Sequence, residues 1–171
     1  MATRSTAGGR REDAIRRRTP AQWYCLLAGL SLLLAGILGF IADSGFDTGQ
    51  GIQGDKLIVF EVNGWHNLIH IASGLLLLAA SPKRASARAI AIAFGAVYGV
   101  VTIIGLIDGE DVFGLFPINP ADNILHIALS ALGLITGFMS RGSDDVPRGE
   151  PRTVGEKRFD RDRSGARAGA R

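Results

Sequence analysis

The 171 residues include one cysteine, two tryptophans, two tyrosines and three histidines. A lone cysteine, Cys25, rules out an intrachain disulfide and a disulfide-stapled fold. Its position inside an apolar block reads as a small buried side chain, with palmitoylation the minor alternative. The sequence shows no Ser–His–Asp set, no paired catalytic carboxylates, no phosphate-cradling loop and no cysteine pair, so nothing in it argues for an enzyme. A pI near 9.5 is common in nucleic-acid binders. Here no binding fold or interleaved aromatics accompany the charge, which argues against a nucleic-acid partner.

Charge is missing from long stretches of the chain. Apolar residues make up 47%, an ordinary share, but nearly all sit in four blocks. About 20 apolar residues cross the hydrocarbon of a bilayer. Residues 21–41, 64–80, 89–107 and 120–139 supply such blocks. The fold class expected is therefore all-α, a four-helix transmembrane bundle. A basic tail (1–18) precedes the membrane domain (19–139), and a tail (140–171) too poor in large apolar side chains to fold follows it. Thr19-Pro20-Ala21-Gln22 and Asn119-Pro120-Ala121-Asp122 read as capping boxes that open the first and fourth helices. Ser81-Pro82 stops the second. The first block is too long, and its basic flank too extended, for a cleaved signal peptide.

Lys and Arg mark the cytoplasmic side of a membrane protein. With four spans, 18 of the 19 basic residues fall on one side, in the two tails and the Ser81–Arg88 turn; only Lys56 falls on the other. Asp43, Asp47, Asp55, Glu61, Asp108, Glu110 and Asp111 make the opposite loops acidic. The pattern predicts a multi-pass protein of the plasma (inner) membrane with both termini in the cytoplasm. Trp23 and Tyr24 are expected at the inner interface and Trp65 at the outer one. Arg16-Arg17-Arg18 could also touch anionic lipid.

An internal similarity runs through the chain. Residues 63–72, N-G-W-H-N-L-I-H-I-A, align with residues 119–128, N-P-A-D-N-I-L-H-I-A, at an offset of 56. Gly29 and Gly39 align with Gly95 and Gly105 at an offset of 66. Two helical hairpins of the same orientation are expected, related by a pseudo-two-fold axis along the membrane normal.

The repeated segment carries polar residues. At 100° per residue Asn63, His66, Asn67 and His70 share one face, and Asn119, Asp122, Asn123 and His126 share the equivalent one. Polar groups so deep in a span avoid lipid, so the stripes are expected to face each other between the second and fourth helices. The primary reading is a non-enzymatic structural or partner-binding protein without a cofactor. Its His, Asn and Asp side chains would lock those helices together, with Gly95-x-x-x-Gly99 and Gly133-x-x-x-Gly137 allowing close crossings. The alternative is a metal- or proton-responsive component. In it His66, His70, His126 and Asp122 would offer three nitrogens and one oxygen to zinc or another transition metal. A bis-histidine haem on His70 and His126 is disfavoured, because glycine-rich packing leaves little room for it. A proton path is disfavoured by the apolar cytoplasmic half. The sequence leaves open whether the bundle forms a homo-oligomer or meets another membrane protein.

R-R-T-P-A-Q-W before a Leu/Gly-rich first span, then W-H-N-L-I-H-I-A-S-G-L and N-P-A-D-N-I-L-H-I-A-L, resembles the bacterial, mostly actinobacterial, membrane family catalogued as domain of unknown function 4383. The resemblance covers residues 17–139. It implies a four-span bacterial membrane protein and supplies no activity.

Overall fold

A computed structural model describes residues 18–140 of the chain. The expectations for both tails, including the anionic-lipid contact of Arg16 and Arg17, lie outside the described residues. Four helices carry the fold: α1 (Pro20–Ala42), α2 (Gly64–Ala80), α3 (Arg84–Asp108) and α4 (Pro120–Met139). Two antiparallel ribbons interrupt them, β1 (Asp55–Leu57) with β2 (Phe60–Val62), and β3 (Asp111–Val112) with β4 (Phe116–Pro117).

Local chemistry sets the helix ends. Thr19 Oγ1 accepts the Gln22 N–H at 3.3 Å while Gln22 Oε1 accepts the Thr19 N–H at 3.0 Å, closing the first capping box. Asn119 and Asp122 close the second in the same way. Gly109 ends α3 in the left-handed region, at φ 85°, which a residue without Cβ adopts cheaply. Helix α3 begins five residues before the expected span, because Arg84 and Arg88 can continue a helix beyond the apolar layer.

Three helices, α1, α3 and α4, are long and apolar enough to cross a membrane. With 17 residues, α2 is shorter, about 26 Å at 1.5 Å per residue. The side chains are arranged as lipid would require. Large apolar residues such as Leu34, Ile37, Ile103, Leu106, Leu132 and Phe138 face outward, each more than half exposed. Ala21, Cys25, Ala28, Ala87 and Ala91 fill the core with small side chains. In water this would strand the hydrophobic payload on the surface; in a bilayer it lets backbones approach and gives the acyl chains their contacts.

The helices pack as two hairpins, α1 with α2 and α3 with α4, and α1 also touches both helices of the second hairpin. Matching contacts recur in the two. A Cβ on Gly29 would lie 3.0 Å from the Gly74 carbonyl, and one on Gly95 would lie 2.8 Å from the Ser130 carbonyl. A Cβ on Gly39 would collide with the Asn67 amide, and one on Gly105 would lie 2.8 Å from Asn123 Oδ1.

The two ends of the bundle are tied differently. At one end the Gln22 amide donates to the carbonyls of Ser81 and Pro82, at 3.1 and 2.9 Å, and Ser140 Oγ accepts the Ala21 N–H at 2.9 Å. Lys83, Arg84 and Arg88 lie at this end, and Arg18 places its guanidinium 5.4 Å from the Trp23 ring centre. At the other end the hairpins exchange hydrogen bonds. Asn63 Nδ2 donates to the Leu115 carbonyl, and Asn119 Nδ2 donates to the Val59 carbonyl, both at 2.9 Å. Each asparagine thus caps its own helix and grips the other hairpin's loop.

Candidate metal centre

His66 and His70 stand one turn apart on α2, and His126 stands on α4. One turn of helix turns the first two imidazoles to the same side, and the packing of the two hairpins brings the third to meet them. His66 Nε2 and His70 Nε2 are 3.2 Å apart. Candidate ligand nitrogens of all three rings lie within 4.8 Å of one another. The ring centres are 4.4 Å apart for His66–His70, 6.1 Å for His66–His126 and 6.4 Å for His70–His126. All three residues are buried, at 4%, 6% and 4% exposure. The Nδ1 atoms of His70 and His126 have no hydrogen-bond partner, while the Glu61 and Pro117 backbones stand beside His66.

Three nitrogens bound at about 2.0–2.1 Å around a tetrahedral ion stand about 3.3 Å apart. The His66–His70 pair already has that spacing, and His126 is near enough to complete a face by side-chain rotation. No carboxylate joins this cluster among the described residues. Asp122, expected as a fourth ligand, is directed elsewhere: its Oδ2 accepts the N–H groups of Glu61 and Asn119, both at 3.1 Å. Helix capping takes this carboxylate, because it sits at the third position of α4, where backbone donors converge.

The polar asparagines are also placed differently from the expectation. Asn67 and Asn123 do not bridge α2 and α4. Each is wedged against a glycine of its own hairpin, Gly39 for Asn67 and Gly105 for Asn123. Asn67 donates to the Asp43 carbonyl at 2.8 Å. The hairpins are instead tied by the crossed contacts of Asn63 and Asn119 with the opposite loops, and the imidazoles meet between them.

Tyr98 of α3 belongs to the same site. Its ring stacks on Phe94 at 4.0 Å and stands edge-on to His126 at 5.2 Å. Its hydroxyl is buried with the Ser73 side chain beside it. The signal that could have found it was a lone tyrosine midway along an otherwise apolar span. A cavity of about 320 Å³ adjoins the rings, walled by Ile69, Val97, Val112, Phe116 and Ile118. Three neutral imidazoles without a carboxylate suit a borderline or soft transition ion, and they leave coordination positions open toward this cavity.

No curated protein and no solved structure matches the chain. The model of one family, Domain of unknown function (DUF4383), matches residues 22–139. That match takes in the first helix from Gln22, the other three helices, both ribbons and the three histidines, and the chain belongs to this family.

Proposed function

We propose that the protein is a four-span protein of a bacterial plasma membrane that holds one transition-metal ion on His66, His70 and His126, close to the outer face. The observation that carries the reading is the convergence of three buried imidazoles whose candidate ligand nitrogens lie within 4.8 Å of one another. A buried polar group without a partner costs roughly 1–3 kcal/mol. Packing alone would crowd three imidazoles together and leave the Nδ1 atoms of His70 and His126 without partners. A metal held by the facing nitrogens would replace the Nε2–Nε2 contact of His66 and His70 with a bond to each ring and fix the tautomers. The asparagines supply the locking role, so the histidines are not needed for it.

Orientation follows from charge. Lys83, Arg84 and Arg88 lie at the end opposite the histidines, while Asp43, Asp55, Glu61, Glu110 and Asp111 lie at the histidine end. The positive-inside rule then puts both termini in the cytoplasm and the metal near the outside. The crossed asparagine contacts and the paired glycine contacts support an origin from two copies of one hairpin. Below the histidines the core is closed by Leu32, Leu77, Phe94 and small residues, which favours a resident ion over one in transit.

Elemental analysis of the detergent-purified protein tests this. The wild type should carry about one transition-metal ion per chain, and His66→Ala, His70→Ala and His126→Ala should each lose it. A wild type that stays metal-free after exposure to zinc, copper, nickel and iron would refute the site.

A further inference from the structure

We infer that the cavity beside the histidines binds a neutral, flat, bilayer-dissolved molecule with an oxygen at its head, the chemical class of the isoprenoid quinones. One of its anchor points, the open metal position, rests on the proposed metal site. The others do not.

The polar groups of the cavity are concentrated where the three histidines, Tyr98 and Ser73 meet, and the remaining walls are aliphatic or aromatic. Among the described residues, no Lys, Arg, Asp or Glu lines it. A charged or water-loving ligand would find no counter-charge there and would lose its hydration. The volume of about 320 Å³ falls at the small end of ligand pockets, which run about 300–1,000 Å³. It suits a ring system rather than a coiled acyl chain, and Tyr98 and Phe116 offer aromatic surface to such a ring.

The way in is lateral. Ile69 of α2 and Val97 of α3 both line the cavity, yet they are 44% and 58% exposed. They lie on the outward apolar surface, and α2 and α3 touch only sparsely. A molecule dissolved in the bilayer can slip between these two helices without crossing water. Inside, the Tyr98 hydroxyl lies buried beside the Ser73 side chain and can donate to a carbonyl oxygen. Such a site recognises an acceptor head, and a ring carbonyl satisfies it without bringing a charge into the membrane.

The test uses the full chain reconstituted in nanodiscs, with metal content measured on the same samples. Decylubiquinone is titrated by equilibrium dialysis against empty nanodiscs, and palmitate is the competitor. The expected result is one saturable decylubiquinone site per chain that palmitate does not displace. Val97→Trp and Ile69→Trp should each weaken it at least tenfold by filling the portal, with one metal per chain retained as proof of folding. Metal-loaded protein that shows no binding beyond empty nanodiscs would overturn the inference and leave the metal site standing. Equal competition by palmitate, or unchanged affinity in both tryptophan variants, would overturn it too. Metal-free protein that still binds decylubiquinone in a Val97-dependent way would sink the metal site and support the cavity assignment.

Discussion

Gly39→Ala should destabilise the protein by about 3 kcal/mol, although glycine-to-alanine in a helix ordinarily gains about 1 kcal/mol. The new methyl group would enter the space of the Asn67 side chain, which is fully buried. That amide cannot retreat freely, because it donates to the Asp43 carbonyl at 2.8 Å. Overpacking costs roughly 1–3 kcal/mol. An amide forced off its acceptor while still buried costs roughly 1–3 kcal/mol more. Subtracting the helix gain leaves a loss centred near 3 kcal/mol. Asn67→Ala alone should cost about 1–2 kcal/mol through the lost hydrogen bond and the void. In the variant carrying both changes the new methyl occupies the vacated space, so the two losses should fall short of adding by about 1–2 kcal/mol. Gly99→Ala is the control. Its nearest neighbour is one hydroxyl, Ser130 Oγ at 3.0 Å, with the next atom at 4.0 Å, so its effect should stay within about 1 kcal/mol. Reversible unfolding in mixed micelles reads all four variants. If Gly39→Ala were as stable as wild type, or if the two changes simply added, the contact reasoning would be refuted.

Other outcomes follow from the same geometry. Gly105→Ala should behave like Gly39→Ala in the same assay, with partial compensation by Asn123→Ala, because the equivalent asparagine lies against it. Asp122→Ala should cost about 1–3 kcal/mol in unfolding experiments by freeing two backbone donors, yet leave the metal content of the purified protein unchanged. Asn63→Ala and Asn119→Ala should each cost about 1–2 kcal/mol, and hydrogen exchange should rise in the other hairpin's loop, around Leu115 and Val59 respectively. In intact cells, cysteines at Ser44 and Glu110 should react with an impermeant maleimide and one at Ser86 should not; native Cys25, which is fully buried, should give no background.

Much of the fold could be read in advance because its signals are local. Both capping boxes, the Ser81-Pro82 stop and the limits of α2 and α4 depend on neighbouring residues alone. The four-residue spacing of His66 and His70 likewise placed them on one face, and the repeat pointed to His126. What could not be read depends on competition between partners. Asp122 could serve a metal or a helix cap, and only the position of the Glu61 backbone decides between them. Asn67 could face α4 or α1; the missing side chain at Gly39 settles it by leaving a slot of the right size. The ribbons escaped notice because two or three paired residues leave no periodicity to detect. Tyr98 and the cavity arise where α3 passes the histidines, a long-range juxtaposition that no local pattern encodes.

X-ray absorption at the edge of the ion bound to the purified protein tests the central claim most directly. The account predicts three imidazole nitrogens at about 2.0–2.1 Å, with the outer-shell scattering of histidine rings, lost together in His126→Ala. A shell made of oxygen or sulfur, or a histidine signal that survives in that variant, would contradict it.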